Sequence, residues 1–194
     1  RLSTSGLGGS ELSNQPIIRL FDPLNGGRAV NASGQVVKIS VANASSESGS
    51  LLLFNQTGPH PVQSMSATVS DGVANFSGVG FDLIGHYQLL AQMSIDSVII
   101  MNVSKLIKIV PGPAVSIRWT TQPGHSTGGV ELSASPNCTL LDAGQNVARP
   151  ESFTARVSLM NGRHQPHLLL GSVNQAVAQG TSVEFPGLAI NAAD

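Results

Sequence analysis

The amino-acid sequence predicts an all-β protein of tandem antiparallel β-sandwiches, the second one incomplete. Three observations carry that prediction. A motif in the opening segment recurs once: Gly8, Gly9, Glu11, Leu12, Ser13, Pro16, Leu20 and Asp22 are matched by Gly128, Gly129, Glu131, Leu132, Ser133, Pro136, Leu140 and Asp142, every pair 120 residues apart. Short runs of Val, Ile and Leu alternate with turn chemistry at intervals of about ten residues. Charged residues make up 11% and aromatics 4% of the 194 residues, while Ser, Thr, Asn and Gly fill the spaces between apolar runs, which is the composition of a strand-and-turn protein.

The repeat divides the chain into a first unit, residues 1–112, and a second, residues 113–194. In the first, Ile17 to Phe21 is an apolar run stopped by Asp22-Pro23-Leu24-Asn25-Gly26-Gly27, a dense turn signal. Val37, Ile39 and Val41 alternate with Lys38 and Ser40, so one face is apolar and the other polar. Leu51 to Phe54 is a further strand. Asp71-Gly72 between Ala67-Thr68-Val69 and Val73-Ala74-Asn75-Phe76 is the signal of a two-residue hairpin turn. Tyr87, Leu89 and Ala91 share a face, and Val98–Met101 and Leu106–Val110 complete a set of about seven strands, enough for a sandwich.

Pro111-Gly112-Pro113 is the joint, because proline cannot continue a ladder. The second unit opens with Val115 to Thr121. Leu168–Leu170 answers Leu51–Leu53 at an offset of 117, and Phe185–Ile190 answers Phe76–Phe81 at 109, so the second unit is expected to have shorter loops. Nothing in it answers Gly85-His86-Tyr87 and the strands that follow. With Arg1 at the start, the chain is expected to be a piece of a longer one.

Composition also narrows the function classes. The formal net charge of −1 provides no basic field for nucleic acid or an anionic membrane surface. Ser97 to Val110 is the longest apolar stretch, but Asn102, Lys105 and Lys108 interrupt it and it is too short to span a bilayer. Cys138 is the single cysteine, which excludes an intrachain disulfide. Its register opposite Ile18 makes it a small buried hydrophobe rather than a reactive thiol.

Six Asn-x-Ser/Thr triplets are the most informative local pattern: Asn31, Asn43, Asn55, Asn75, Asn102 and Asn137, none with proline in the middle. Twelve asparagines among residues of which 34 are Ser or Thr would produce roughly two by chance. These six are the candidate N-glycosylation sites. Asn75 alternates with Ala74 and Phe76, so it faces solvent if they face the core, whereas Asn102 lies in a strand apolar on both faces. Enzyme signatures are lacking: there is no Gly-x-Ser-x-Gly elbow, phosphate-cradling loop or nucleotide fingerprint. His164-x-x-His167 has no second pair to complete a metal site, and Asp22, Asp71, Asp82, Asp96 and Asp142 are scattered singly. Asp22 and Asp142 are read as turn residues, and His60, His86 and His125 carry no specific spacing. Tyr87 and Trp119, the latter alternating with Val115 and Ile117, are read as core. No catalytic residue, metal or cofactor is assigned.

Taken together, Leu-Ser-x-x-Pro-x-x-x-Leu-x-Asp at Leu12 to Asp22, Asp-Gly-x-Ala-x-Phe at Asp71 to Phe76, Gly-x-Tyr-x-Leu at Gly85 to Leu89 and Pro-Gly-x-Ala at Pro111 to Ala114 resemble tandem immunoglobulin-like repeats. They are similar to the filamin-like and invasin-like modules of large cell-surface proteins, including algal or protist surface and ciliary glycoproteins. The second unit departs from the pattern at Val183-Glu184 before Phe185. The resemblance implies a non-catalytic structural or adhesive segment of an extracellular or ciliary-surface glycoprotein made through the secretory pathway. Its partners would be N-linked glycans and other chains or neighbouring repeats, met through sheet edges and loops, with no nucleic acid and no membrane insertion in this segment. A carbohydrate-binding module of a secreted protein and an intracellular filamin-like scaffold are the competing readings.

Overall fold

A computed structural model describes the chain except residues 1–4, 23, 25–27, 30–31, 46–48, 56–57, 151, 160–168, 172–173, 179 and 192–194. The architecture is all-β, in several sheets. Two compact units are present: Arg1–Gly112 with Ala143–Asn146, and Pro113–Asp142 with Val147–Asp194.

The strands of the first unit are β1 (Ser5–Leu7), β2 (Ser10–Glu11), β3 (Ile17–Arg19), β4 (Phe21–Asp22), β5 (Arg28–Ala29), β6 (Val36–Ala44) and β7 (Leu51–Asn55). They continue as β8 (Gly58–Val62), β9 (Ser64–Thr68), β10 (Val73–Asn75), β11 (Val79–Phe81), β12 (Gly85–Ile95), β13 (Val98–Val103) and β14 (Ile107–Val110). One six-stranded sheet has the order β1-β14-β12-β6-β9, with β13 also on β12. Facing it are β2-β11-β7-β8 and the pair β10-β3, and the core fills the space between. From the first sheet come Val37, Ile39, Tyr87, Leu89, Ile107 and Ile109; from the other layer come Leu51, Ala74, Phe76, Val79 and Phe81, all buried. Each such large side chain contributes about 1.5–3 kcal/mol by leaving water. β8 was not evident in the sequence because Pro59 and Pro61 argue against a strand. It is an edge strand, where a missing amide costs no ladder bond on the open side.

β12 organises this unit. Its first residues pair with β14 (Gly85↔Ile109 to Tyr87↔Ile107), and its remainder with β13 (Leu90↔Val103 to Ile95↔Val98). Along its other edge it pairs with β6 from Tyr87↔Ala44 to Met93↔Val37, with a bulge at Gln88/Leu89. On the opposite edge, where β12 passes from β14 to β13, Ser104 fills the gap: its N–H donates to the Leu89 carbonyl (2.8 Å) and its Oγ accepts from the Leu89 amide (2.9 Å). Tyr87 is fully buried, stacks on Phe81 at 4.3 Å between centroids, and donates its hydroxyl to the Leu83 carbonyl (2.8 Å). A Cβ at Gly49 would collide with that hydroxyl, so glycine is required there by space.

The expected turn at Asp71-Gly72 is present, with φ of 49° and 73° and reciprocal Ser70–Val73 backbone bonds of 2.9 Å. Its flanks part, however. β9 pairs with β6 while β10 pairs with β3, so the turn carries the chain from one layer to the other instead of closing a hairpin.

In the second unit the strands are β15 (Ser116–Thr121), β16 (Asn137–Leu141), β17 (Ser152–Arg156), β18 (Leu169–Leu170), β19 (Asn174–Ala178), β20 (Ser182–Glu184) and β21 (Ala189–Ile190). They form β15-β16-β20, β17-β19 and β18-β21 over a smaller core of Cys138, Ala155, Val183, Phe185 and Leu188. The repeat is a repeat of contacts. Ile18↔Ala74 is matched by Cys138↔Val183, and Glu11↔Gly80 by Glu131↔Ala189. Leu51↔Phe81 is matched by Leu169↔Ile190, which corrects the leucine run to an offset of 118, one residue from the alignment by sequence. Trp119, with Val115 and Ile117, is not core. Ile117 pairs with Leu140 and Trp119 with Cys138, yet all three are 41–62% exposed. Alternation placed them on the right face, but β15 is an edge strand that no described part of its unit covers.

Burial, and secondarily the Asp82 charge, push the Tyr87 phenol up to about 12 from its ordinary 10. A raised phenol means that the stability it confers is complete below pH ~10 and is lost as pH rises through about 12. Tyr87 is the only tyrosine, so phenolate absorbance reads it directly: ionisation is expected near that upper value, together with loss of first-unit structure. Tyr87→Phe, which keeps the ring but orphans the Leu83 carbonyl, is expected to cost about 1 kcal/mol in chemical denaturation.

Candidate functional site

Four of the six glycan-acceptor asparagines are exposed on the first unit: Asn43, Asn55, Asn75 and Asn102. Asn75 ends β10, with Ala74 and Phe76 buried on either side, so strand alternation turns its amide outward. Asn55 ends β7 at the β7–β8 connection, where it pairs with Gly58. Asn43 lies on β6 beside the bulge and donates from Nδ2 to Gln88 Oε1 (3.1 Å). Asn102 lies on β13 and pairs with Ala91. Asn137 differs from these. It is half-buried, its Oδ1 accepts from Thr120 Oγ1 (2.8 Å), and the Thr139 of its triplet is buried. Asn31 lies outside the described residues, as do His164 and His167.

Among the scattered acids, the described structure shows turn and capping work. Asp22 Oδ1 accepts from the Leu24 amide (2.9 Å), and Asp82 Oδ1 accepts from the Ser50 and Leu83 amides (2.6 and 2.7 Å). Asp71 and Asp96 hold positive φ in turns. Asp142 is fully buried. Among the described residues no group of three His, Cys, Asp or Glu could hold a metal ion. Cys138 is a buried free thiol, and burial pushes its pKa up, away from the thiolate needed for nucleophilic chemistry.

Two features escaped the sequence reading. Asp96 and Ser97, with φ of 48° and 70°, make a two-residue hairpin turn between β12 and β13; Asp-Ser is a weaker signal for such a turn than Asn-Gly or Asp-Gly. The strand that follows, β13, is exposed at every residue, with Val98, Ile99, Ile100, Met101 and Val103 between 45% and 64% accessible. On the core side of β13 a mainly apolar groove of about 440 Å³ opens, lined by Ile18, Leu20, Phe21, Met93, Ile100 and Asn102 among others. Contiguous exposed apolar patches are uncommon on folded surfaces, which makes this strand and groove the candidate contact surface of the first unit. The sequence signal was available, since Val98–Val103 contains no charge, but an uncharged apolar run reads as a buried strand until its neighbours are known.

No family model matches the chain, and no curated protein or solved structure is significantly similar to it.

Cys138 in the native protein is expected to resist alkylation at neutral pH and to react on unfolding, as thiol titration with and without denaturant will show. Trp119, the only tryptophan, is expected to be quenched efficiently by acrylamide in the folded state.

Proposed function

We propose that the chain is a non-catalytic structural or adhesive segment of a large extracellular or ciliary-surface glycoprotein, made of tandem immunoglobulin-like sandwiches. The observation that carries this reading is the exposure of four acceptor asparagines on one small all-β unit, on the surface that a glycoprotein would present. The immunoglobulin-like part is supported by Tyr87. Near the start of a long strand, its hydroxyl bonds a backbone carbonyl four residues upstream, as in the tyrosine corner of such domains. The tandem part is supported by the matching contacts of the two units. Partners would be met through open sheet edges by strand addition, with the chain following the secretory pathway.

A second reading, a carbohydrate-binding module, is favoured by one observation. Trp119 is 41% exposed on an edge strand, and an accessible indole can stack on a sugar ring. Specific, saturable glycan-array binding abolished by Trp119→Ala would favour it over the first.

N-glycosidase treatment of the native protein is expected to lower its mass, and an unchanged mass overturns the glycoprotein reading. Among the described positions, glycopeptide mapping should find sugar on the exposed Asn43, Asn55, Asn75 and Asn102 but not on Asn137, which is half-buried and whose triplet's Thr139 is buried.

A further inference from the structure

We infer that the open edge of β13 pairs antiparallel with the same strand of a second copy of this chain; this deepens the adhesive reading by naming the partner of one edge, and it rests on that reading. The backbone decides which groups are available. A two-residue loop makes Ile95 and Val98 a hydrogen-bonded pair, and alternation makes Met93–Ile100 and Ala91–Asn102 the next two. The Ser104 amide continues the series by donating to the Leu89 carbonyl. The N–H and C=O groups of Ile99, Met101 and Val103 therefore point away from β12, and no other described strand pairs with β13. They form a short template for strand addition.

Charge then selects the occupant. The six residues of β13 carry none, so a second β13 meets no like charge at the centre. Asp96 lies just before the strand and Lys105 just after it, both exposed. An antiparallel pair centred on Met101 sets Met101 opposite itself, Ile99 opposite Val103, and Ser97 opposite Lys105. Asp96, in the turn one residue before Ser97, is then brought near Lys105 of the other copy, so charges of opposite sign come together at the two ends. A parallel arrangement would instead set Asp96 beside Asp96 and Lys105 beside Lys105. The edge is thus self-complementary in one direction only. A single six-residue strand buries less than the roughly 1,000 Å² of a stable interface, so the pairing is weak for one chain and gains strength when several copies are tethered together.

The test is sedimentation equilibrium of the whole chain as isolated, repeated after N-glycosidase treatment, over a wide concentration range. Concentration-dependent dimerisation is expected. Met101→Lys, at a side chain 58% exposed, sets two ammonium groups on the dyad and should abolish dimerisation without lowering the thermal midpoint. Asp96→Lys and Lys105→Asp should each weaken it, by about tenfold for two lost pairs, and the double variant should restore it. A chain that stays monomeric, a dimer indifferent to Met101→Lys, or a charge swap that fails to restore pairing each overturns the inference. A monomer whose native form still loses mass to N-glycosidase sinks the pairing alone and leaves the glycoprotein reading standing.

Discussion

In both units a buried proline carbonyl takes the amide of a buried phenylalanine: Phe76 to Pro16 at 3.0 Å, and Phe185 to Pro136 at 2.9 Å. Four residues before each proline, a leucine amide donates to the residue three beyond that phenylalanine, Leu12 to Val79 at 2.8 Å and Leu132 to Leu188 at 2.7 Å. A third bond joins Gly9 to Phe81 and Gly129 to Ile190, at 2.8 and 2.7 Å. These bonds tie two distant stretches of sequence at one register, and the register fixes which side chains face inward. Proline suits the first position because it needs no amide partner there, and its ring packs among the core side chains. The glycines at φ of 69° and 77°, Gly9 and Gly129, hold a conformation that a Cβ would strain.

That frame explains why so much of the repeat was legible. Gly, Leu and Pro sit where geometry leaves few substitutes, and they survive as identities, while Ile18 and Cys138 share a site that asks only for a small or medium apolar group. The one-residue error over the leucine runs has the same origin. Leu51–Leu53 and Leu168–Leu170 are uniform, so composition cannot distinguish neighbouring registers, and the choice belongs to cross-strand partners far along the chain. The parted flanks of the Asp71-Gly72 turn are of this kind too. A turn sequence specifies a reversal, but the sheet each arm joins depends on β6 and β3, about thirty and fifty residues away.

Exposure was the least legible quantity. Alternation assigned Val37 and Ile39 to the core and Lys38 to solvent, as found, because β6 is flanked by β12 and β9 and faced by a second layer. The same rule applied to Val115, Ile117 and Trp119 found the common face and missed that nothing described in that unit lies over it. Periodicity reports direction, and burial requires a second surface. Among the acceptor asparagines the distinction falls the same way: Asn75 could be turned outward from its buried neighbours, whereas the setting of Asn102 depended on whether β13 was a central or an edge strand.

β13 concentrates that difference. Open edges are usually blunted by a central lysine, a proline or a bulge, and β8 on the opposite layer carries Pro59 and Pro61. β13 carries neither, and its nearest charges stand outside the strand, one of each sign at its two ends. In the inferred pairing, charges so placed would leave the middle of the edge free to add a strand and would disfavour a partner running in the wrong direction. A protected edge would need one lysine at Met101, and the contrast with the prolines of β8 is what supports the inferred pairing of β13.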